Sequence, residues 1–174
     1  MNRWLTYAVA VLALLLLAGG SFRPAAGKRP MRPEVGFPAP EFDLVDTEGK
    51  RVRLSDYRGQ PVFVNFWATW CPPCKAEMPE IQKLQREMPD LVILGVDLGN
   101  TERSPQAVDA YMKGLGYTWR VPFDSDGRVS NDYGVISIPT SFFIDTEGII
   151  RAKFIGPMSL PLMKDLASRA RKGG

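Results

Sequence analysis

One stretch limits the folds open to this chain. It is Val62-Phe63-Val64-Asn65-Phe66-Trp67-Ala68-Thr69-Trp70-Cys71-Pro72-Pro73-Cys74-Lys75-Ala76-Glu77-Met78-Pro79. The first six residues are an apolar, β-branched and aromatic run, which predicts a buried strand. From Pro72 to about Met88 the pattern predicts a helix, with Ile81, Leu84 and Met88 recurring on the face turned to the sheet. Proline is tolerated at the first helical position because the N–H there has no intrahelical partner. Pro79 falls inside the helix and should kink it. Cys71 and Cys74, the 2 cysteines of the chain, sit at the strand-to-helix junction. This spacing carries a redox mechanism. The first thiol lies at a helix N-terminus, where free N–H groups and the positive end of the dipole favour a thiolate. The second lies one turn inward, placed to attack a mixed disulfide formed at the first.

Other uses of a cysteine pair fit less well. A zinc site needs about four ligands, and the chain offers 2 Cys and no His, so no metal or other cofactor is expected. A structural disulfide closing so short a loop adds little constraint. A peroxiredoxin would carry Thr or Ser three residues before its attacking cysteine, and Ala68 stands there. Without His, acid–base work falls to carboxylates, thiols, Tyr or Lys. The net charge of +3 comes with no basic stripe interleaved with aromatics, so nucleic acid is not an expected partner.

The N-terminus reads as an export signal. Arg3 precedes a charge-free run from Leu5 to Ala18, and Gly19, Gly20 and Ser21 follow. Residues 1–21 are therefore a signal peptide or a retained membrane anchor. The run is shorter than the ~20 residues of a comfortable spanning helix. Arg23, Lys28, Arg29 and Arg32 behind it oppose export by the positive-inside rule; the closeness of the apolar run to the N-terminus favours export. Residues 22–35, rich in Pro, Arg and Gly, read as a tether, and residues 36–174 as one domain.

Within that domain, Glu41 to Val45 and Arg51 to Leu54 predict a hairpin across Asp46-Thr47-Glu48-Gly49, with a helical turn at Ser55 to Gly59. Leu91 to Leu98 predicts a second buried strand, parallel to the first after the crossover helix. A helix capped by Ser104 runs to about Leu115, followed by an extended Tyr117 to Phe123 and a short helix near Val129 to Tyr133. Thr140 to Asp145 and Ile149 to Ile155 predict a hairpin, and Pro161 to Arg171 a last amphipathic helix. Asp124-Ser125-Asp126-Gly127 has too few ligands for a calcium loop and reads as a turn.

Trp70-Cys71-Pro72-Pro73-Cys74 behind a Val-Asn-Phe-Trp strand resembles the thioredoxin fold, and more closely the ResA/TlpA-type thiol–disulfide oxidoreductases held outside the cytoplasmic membrane. The resemblance covers the chain from about Gly36. It implies an α/β, thioredoxin-like three-layer sandwich: a central mixed sheet with helices on both faces, an N-terminal β-hairpin and a central helix–strand insertion. It maps a cis-proline onto Pro139, with the backbone of Ile138 as the edge that pairs with substrate; taken alone, Pro139 reads rather as an ordinary trans proline opening a strand. Thioredoxin has a buried Asp in the strand where this chain has Asn65, which cannot take a proton. ResA-type proteins have a Glu at the place of Glu77, so Glu77 is assigned as the acid–base partner of Cys74, against the alternative of a solvated carboxylate on the helix's first turns. Trp70 and Pro72 join Ile138 and Pro139 as substrate-contacting residues, although Trp67 and Trp70 read equally well as packing residues. ResA has an acidic residue where Pro72 stands.

The implied activity is reduction of disulfides in exported proteins by Cys71 and Cys74. The implied partners are apocytochrome c as substrate, within cytochrome c maturation, a membrane thiol carrier as electron donor, and the membrane itself through the N-terminal segment. The implied location is the outer face of the cytoplasmic membrane, or beyond it. The alternatives are an extracytoplasmic disulfide oxidase or isomerase, or a membrane-tethered binding module without redox turnover.

Overall fold

A computed structural model of the chain describes residues 30–172. The proposed signal or anchor, residues 1–21, and most of the tether lie outside them. Among the described residues no helix is long and apolar enough to cross a membrane.

The strands are β1 (Asp43–Asp46), β2 (Arg51–Arg53), β3 (Val62–Trp67), β4 (Val92–Asp97), β5 (Pro122–Phe123), β6 (Thr140–Ile144) and β7 (Ile150–Ile155). The helices are α1 (Pro72–Glu87), α2 (Pro105–Gly114), α3 (Arg128–Asp132) and α4 (Leu160–Lys172). The strands form one mixed sheet in the order β2-β1-β5-β4-β3-β6-β7. β3, β4 and β5 run parallel, while β6 and β7 add antiparallel on one side and the β1–β2 hairpin on the other. β3 lies inside the sheet, between β4 and β6, and is buried along its whole length, as a run apolar but for Asn65 requires.

Each face of the sheet carries its own core. Phe63, Trp67, Ile93 and Phe143 meet α1, α2 and α4 through Met78, Ile81, Val108 and Met163. Val64, Phe66, Leu94 and Phe142 meet α3 and the N-terminal segment through Tyr133, Val129 and Phe42. The Phe63 and Phe143 rings stack at 4.6 Å across the β3–β6 pair. Helices on both faces, the N-terminal hairpin and the inserted α2 match the thioredoxin-like architecture expected.

The extended segment expected over Tyr117 to Phe123 shrinks to the two residues of β5 plus one bridge between Arg120 and Leu94. Pro122 lacks the N–H a longer ladder needs, and Thr118 turns aside to take the Gln82 and Gln85 side chains of α1 as its acceptors. Asp124 caps α3, its two carboxylate oxygens accepting the N–H groups of Val129 and Ser130. Arg32, within the segment read as a tether, donates its N–H to the Pro38 carbonyl at 3.0 Å, and the next residues pack on β7.

Candidate active site

The site forms where β3 ends and α1 begins. Cys71 is the N-cap of α1 in extended conformation, and its Sγ accepts the Cys74 N–H at 3.2 Å. Pro72 and Pro73 fill the first two helical positions, so this is the one first-turn N–H aimed at that sulfur. Cys71 and Cys74 are joined in a disulfide of 2.06 Å and both are buried. The peptide bond between Ile138 and Pro139 is cis, and Cys71 Sγ lies 3.8 Å from the Ile138 carbonyl oxygen. The structure therefore brings together the Cys pair and the Ile138–Pro139 edge, as expected. Pro139 is buried, Ile138 half-buried, and Pro72 exposed beside them.

Trp70 is not a packing residue. It stands 53% exposed next to Cys71, its indole N–H donating to Thr101 Oγ1 at 3.0 Å. Trp67, the other candidate, is buried and donates to the Gly95 carbonyl. The loop between them is held from β4's side: Glu102 accepts both the N–H and the hydroxyl of Thr69, at 2.6 and 2.8 Å.

Glu77 lies one turn after Cys74 on the same buried face of α1 and is 2% exposed, which removes the solvated-carboxylate alternative. Oε1 accepts from Asn65 Nδ2 at 2.8 Å and Oε2 from the Met158 N–H at 3.0 Å. Asn65 Nδ2 also donates to Ser141 Oγ at 3.0 Å. Burial pushes the Glu77 pKa up to about 7, against the pull of the Met158 and Asn65 donors. A carboxyl poised there exchanges a proton readily at neutral pH.

Sequence reasoning missed Ser141, Met158, Thr69, Glu102 and Asp97. Ser141 and Asp97 left a signal, each a polar residue inside or ending an apolar strand run. Met158 acts through its backbone, which no side-chain pattern announces. Asp97 ends β4 opposite Trp67, wholly buried, with neither carboxylate oxygen meeting a partner among the described residues. Burial and the charge of Glu102 push its pKa up to about 8.

A cysteine pair at a helix start, next to a cis-proline edge and a buried proton-exchanging carboxyl, is suited to thiol–disulfide exchange. The model of the AhpC/TSA family matches residues 35–153. The chain belongs to the AhpC/TSA family. It is 37% identical over 140 residues to the thiol-disulfide oxidoreductase ResA of Bacillus subtilis, across 79% of this chain and 76% of that protein. Its fold superposes on StoA from Bacillus subtilis with a TM-score of 0.65 at 32% identity, covering 79% of this chain and 98% of StoA. It superposes equally, at 0.65 and 35% identity, on the pneumococcal exposed lipoprotein thioredoxin Etrx1 from Streptococcus pneumoniae, covering 74% and 99%. The protein is a ResA-like thiol–disulfide oxidoreductase with Cys71 and Cys74 as its CxxC pair.

Proposed function

We propose that this oxidoreductase works as a reductant of disulfides in exported proteins, with apocytochrome c as its substrate in cytochrome c maturation. Reduced Cys71 attacks one sulfur of a substrate disulfide. The substrate S–S bond breaks, a mixed disulfide to Cys71 forms, and one substrate thiol departs with a proton. Cys74 passes its proton to the Glu77 carboxylate and attacks Cys71 Sγ. The Cys71–Cys74 bond forms as the mixed disulfide bond breaks, and the second substrate sulfur leaves as a thiolate that takes up a proton. Two electrons have moved from the Cys pair to the substrate. A membrane thiol carrier returns them, and the N-terminal segment keeps the domain at the outer membrane face. Trp70, Pro72, Ile138 and Pro139 hold the extended substrate strand beside Cys71.

The observation that carries the direction of flow is the single N–H on Cys71 Sγ. Strong disulfide oxidants owe their potential to a reduced form in which the attacking thiolate is well stabilised. Pro72 and Pro73 withhold two donors that would do this. The disulfide form is therefore favoured, and the dithiol gives up electrons. Equilibration with a glutathione or dithiothreitol buffer tests this. A potential at or below that of thioredoxin, about −270 mV, is expected, and a value near the −120 mV of DsbA overturns it. Capture with the Cys74→Ala variant, which cannot resolve the mixed disulfide, names the substrate. Recovery of no apocytochrome c overturns that assignment while leaving the direction standing.

A further inference from the structure

Asn65 stands at a position where a polar side chain is costly. It lies mid-way along a strand buried over its whole length, and burying an amide without partners costs on the order of 1–3 kcal/mol. Its surroundings explain why it is kept. The antiparallel register of β3 and β6 sets Asn65 directly opposite Ser141, so the two side chains leave the sheet on the same face. On the other side its neighbour is Gly95, which offers no side chain, and the space above that glycine is taken by the indoles of Trp67 and Trp119. The amide is thus left with Ser141 and with the underside of α1, where Glu77 sits.

We propose that Asn65 is a positioning residue for thiol exchange: its side-chain amide, anchored on Ser141, holds the Glu77 carboxylate fixed as an acceptor beneath the Cys pair. The proposal rests on the reading of Glu77 as the proton partner of Cys74. A planar amide presents its two N–H bonds at a set angle. With one on Ser141 Oγ at 3.0 Å, the other is directed at Glu77 Oε1 at 2.8 Å. The Met158 N–H, from the loop between β7 and α4, fixes the second oxygen. Both donors favour the charged carboxylate, and without them burial alone governs the group. No ionised neighbour contributes to the shift of Glu77. β3 and β6 add the uncharged Phe63, Trp67 and Phe143 on the face of Asn65 and Ser141, and α4 adds Met163 and Leu166. On α1 itself the nearest titratable group is the Cys74 thiol, since Lys75 is exposed and Glu80 pairs with Lys83. An Asp at position 65 would set a second carboxylate 2.8 Å from the first, and an apolar residue would leave Oε1 without a donor.

The test is the pH profile of insulin reduction between pH 5 and 9 by the full-length protein and four variants: Asn65→Ala, Ser141→Ala, Glu77→Gln and Asn65→Ala/Glu77→Gln. A hydrogen bond to a buried charge is worth roughly one to two pH units of midpoint. Asn65→Ala is expected to move the Glu77 limb up by about that much, and Ser141→Ala to move it less, in the same direction. In the Glu77→Gln background the Asn65→Ala shift should vanish, a coupling that a merely structural role would not produce. Unmoved midpoints in Asn65→Ala and Ser141→Ala, with Glu77→Gln still altering the profile, overturn the inference and spare the proposed function. A flat response to Glu77→Gln overturns the role of Glu77 instead. Should Asn65→Ala fail to fold, Ser141→Ala with and without Glu77→Gln decides by the same rule.

Discussion

Asp97 makes a strong demand on stability. It is fully buried at the end of β4, its oxygens have no partner among the described residues, and its pKa is pushed up to about 8 from an ordinary 3.8. Burial is the larger cause and the charge of Glu102 the second. The folded protein therefore keeps a proton on Asp97 at pH values where the unfolded chain has released it. With the folded pKa raised, the stability Asp97 allows is fully present below pH ~4 and is lost as pH rises toward 8, at about 1.4 kcal/mol per unit. At pH 7 the accumulated cost is about 4 kcal/mol, a ceiling because any water that reaches the ionised carboxylate reduces it. Asp97→Asn has the same shape and no charge to lose. The variant is expected to be more stable than wild type at pH 7, by about 2 to 4 kcal/mol, and to match it near pH 4. Urea unfolding followed by tryptophan fluorescence at pH 4, 5.5, 7 and 8.5 measures this directly. Wild-type and variant curves that stay parallel across that range would mean Asp97 ionises normally in the fold, and the reasoning would be wrong.

Three further outcomes follow from packing and from the loop before Cys71. Glu102→Ala removes both acceptors of Thr69 and should cost about 1–2 kcal/mol and change the emission of the half-exposed Trp70; unchanged stability and spectrum would show the clamp to be idle. Gly95→Ala would set a Cβ 2.7 Å from Trp119 Nε1 and 3.0 Å from Trp67 Nε1, so a loss of about 1–3 kcal/mol is expected in thermal unfolding, and a neutral result would contradict the close packing there. Phe143→Ala empties one half of a ring stack buried between β6 and α1, and should cost about 3–5 kcal/mol by chemical denaturation; a loss under 1 would mean the core collapses into the space.

The sequence made the sheet legible where burial was uniform. β3 and β4 are apolar runs save for Asn65 and the terminal Asp97, and the helix between them dictates that they lie parallel, so the central pairing follows from pattern and chain handedness. Cys71 and Cys74 were legible because the chain's 2 cysteines stand at a meaningful spacing, and Pro139 became legible only through the resemblance that this pair carries. What stayed hidden depends on register and backbone. That Asn65 faces Ser141 is a consequence of which residue of β6 slides beside β3, and a slip of one residue would turn Ser141 to the opposite face. That Glu77 meets the Met158 N–H depends on how the chain leaves β7, where Gly156 first donates to the Pro139 carbonyl. Trp70 was ambiguous for another reason: an aromatic residue beside a buried strand packs or stands free according to the loop that carries it. Here Thr101 and Glu102 hold that loop outward.

The placement of Glu77 follows from the same geometry. A carboxyl on β3 itself would sit between Gly95 and Ser141, with the sheet's own N–H groups already spent on the ladder, and its charge would rest on one hydroxyl. Moved to α1 as Glu77, the carboxyl rides one helical turn from Cys74 and reaches two donors outside the sheet hydrogen bonds, an amide from the strand below and a loop N–H from across the domain. Two donors against full burial leave the group near pH 7, whereas Asp97, buried to the same degree with no donor and with the charge of Glu102 nearby, is driven further from its ordinary value, up to about 8. The two carboxyls thus form an internal comparison within one sheet. Donors, together with the distance from another charge, distinguish a carboxyl held near neutrality from one that stays protonated, and asparagine at position 65 supplies one of those donors without bringing a second charge.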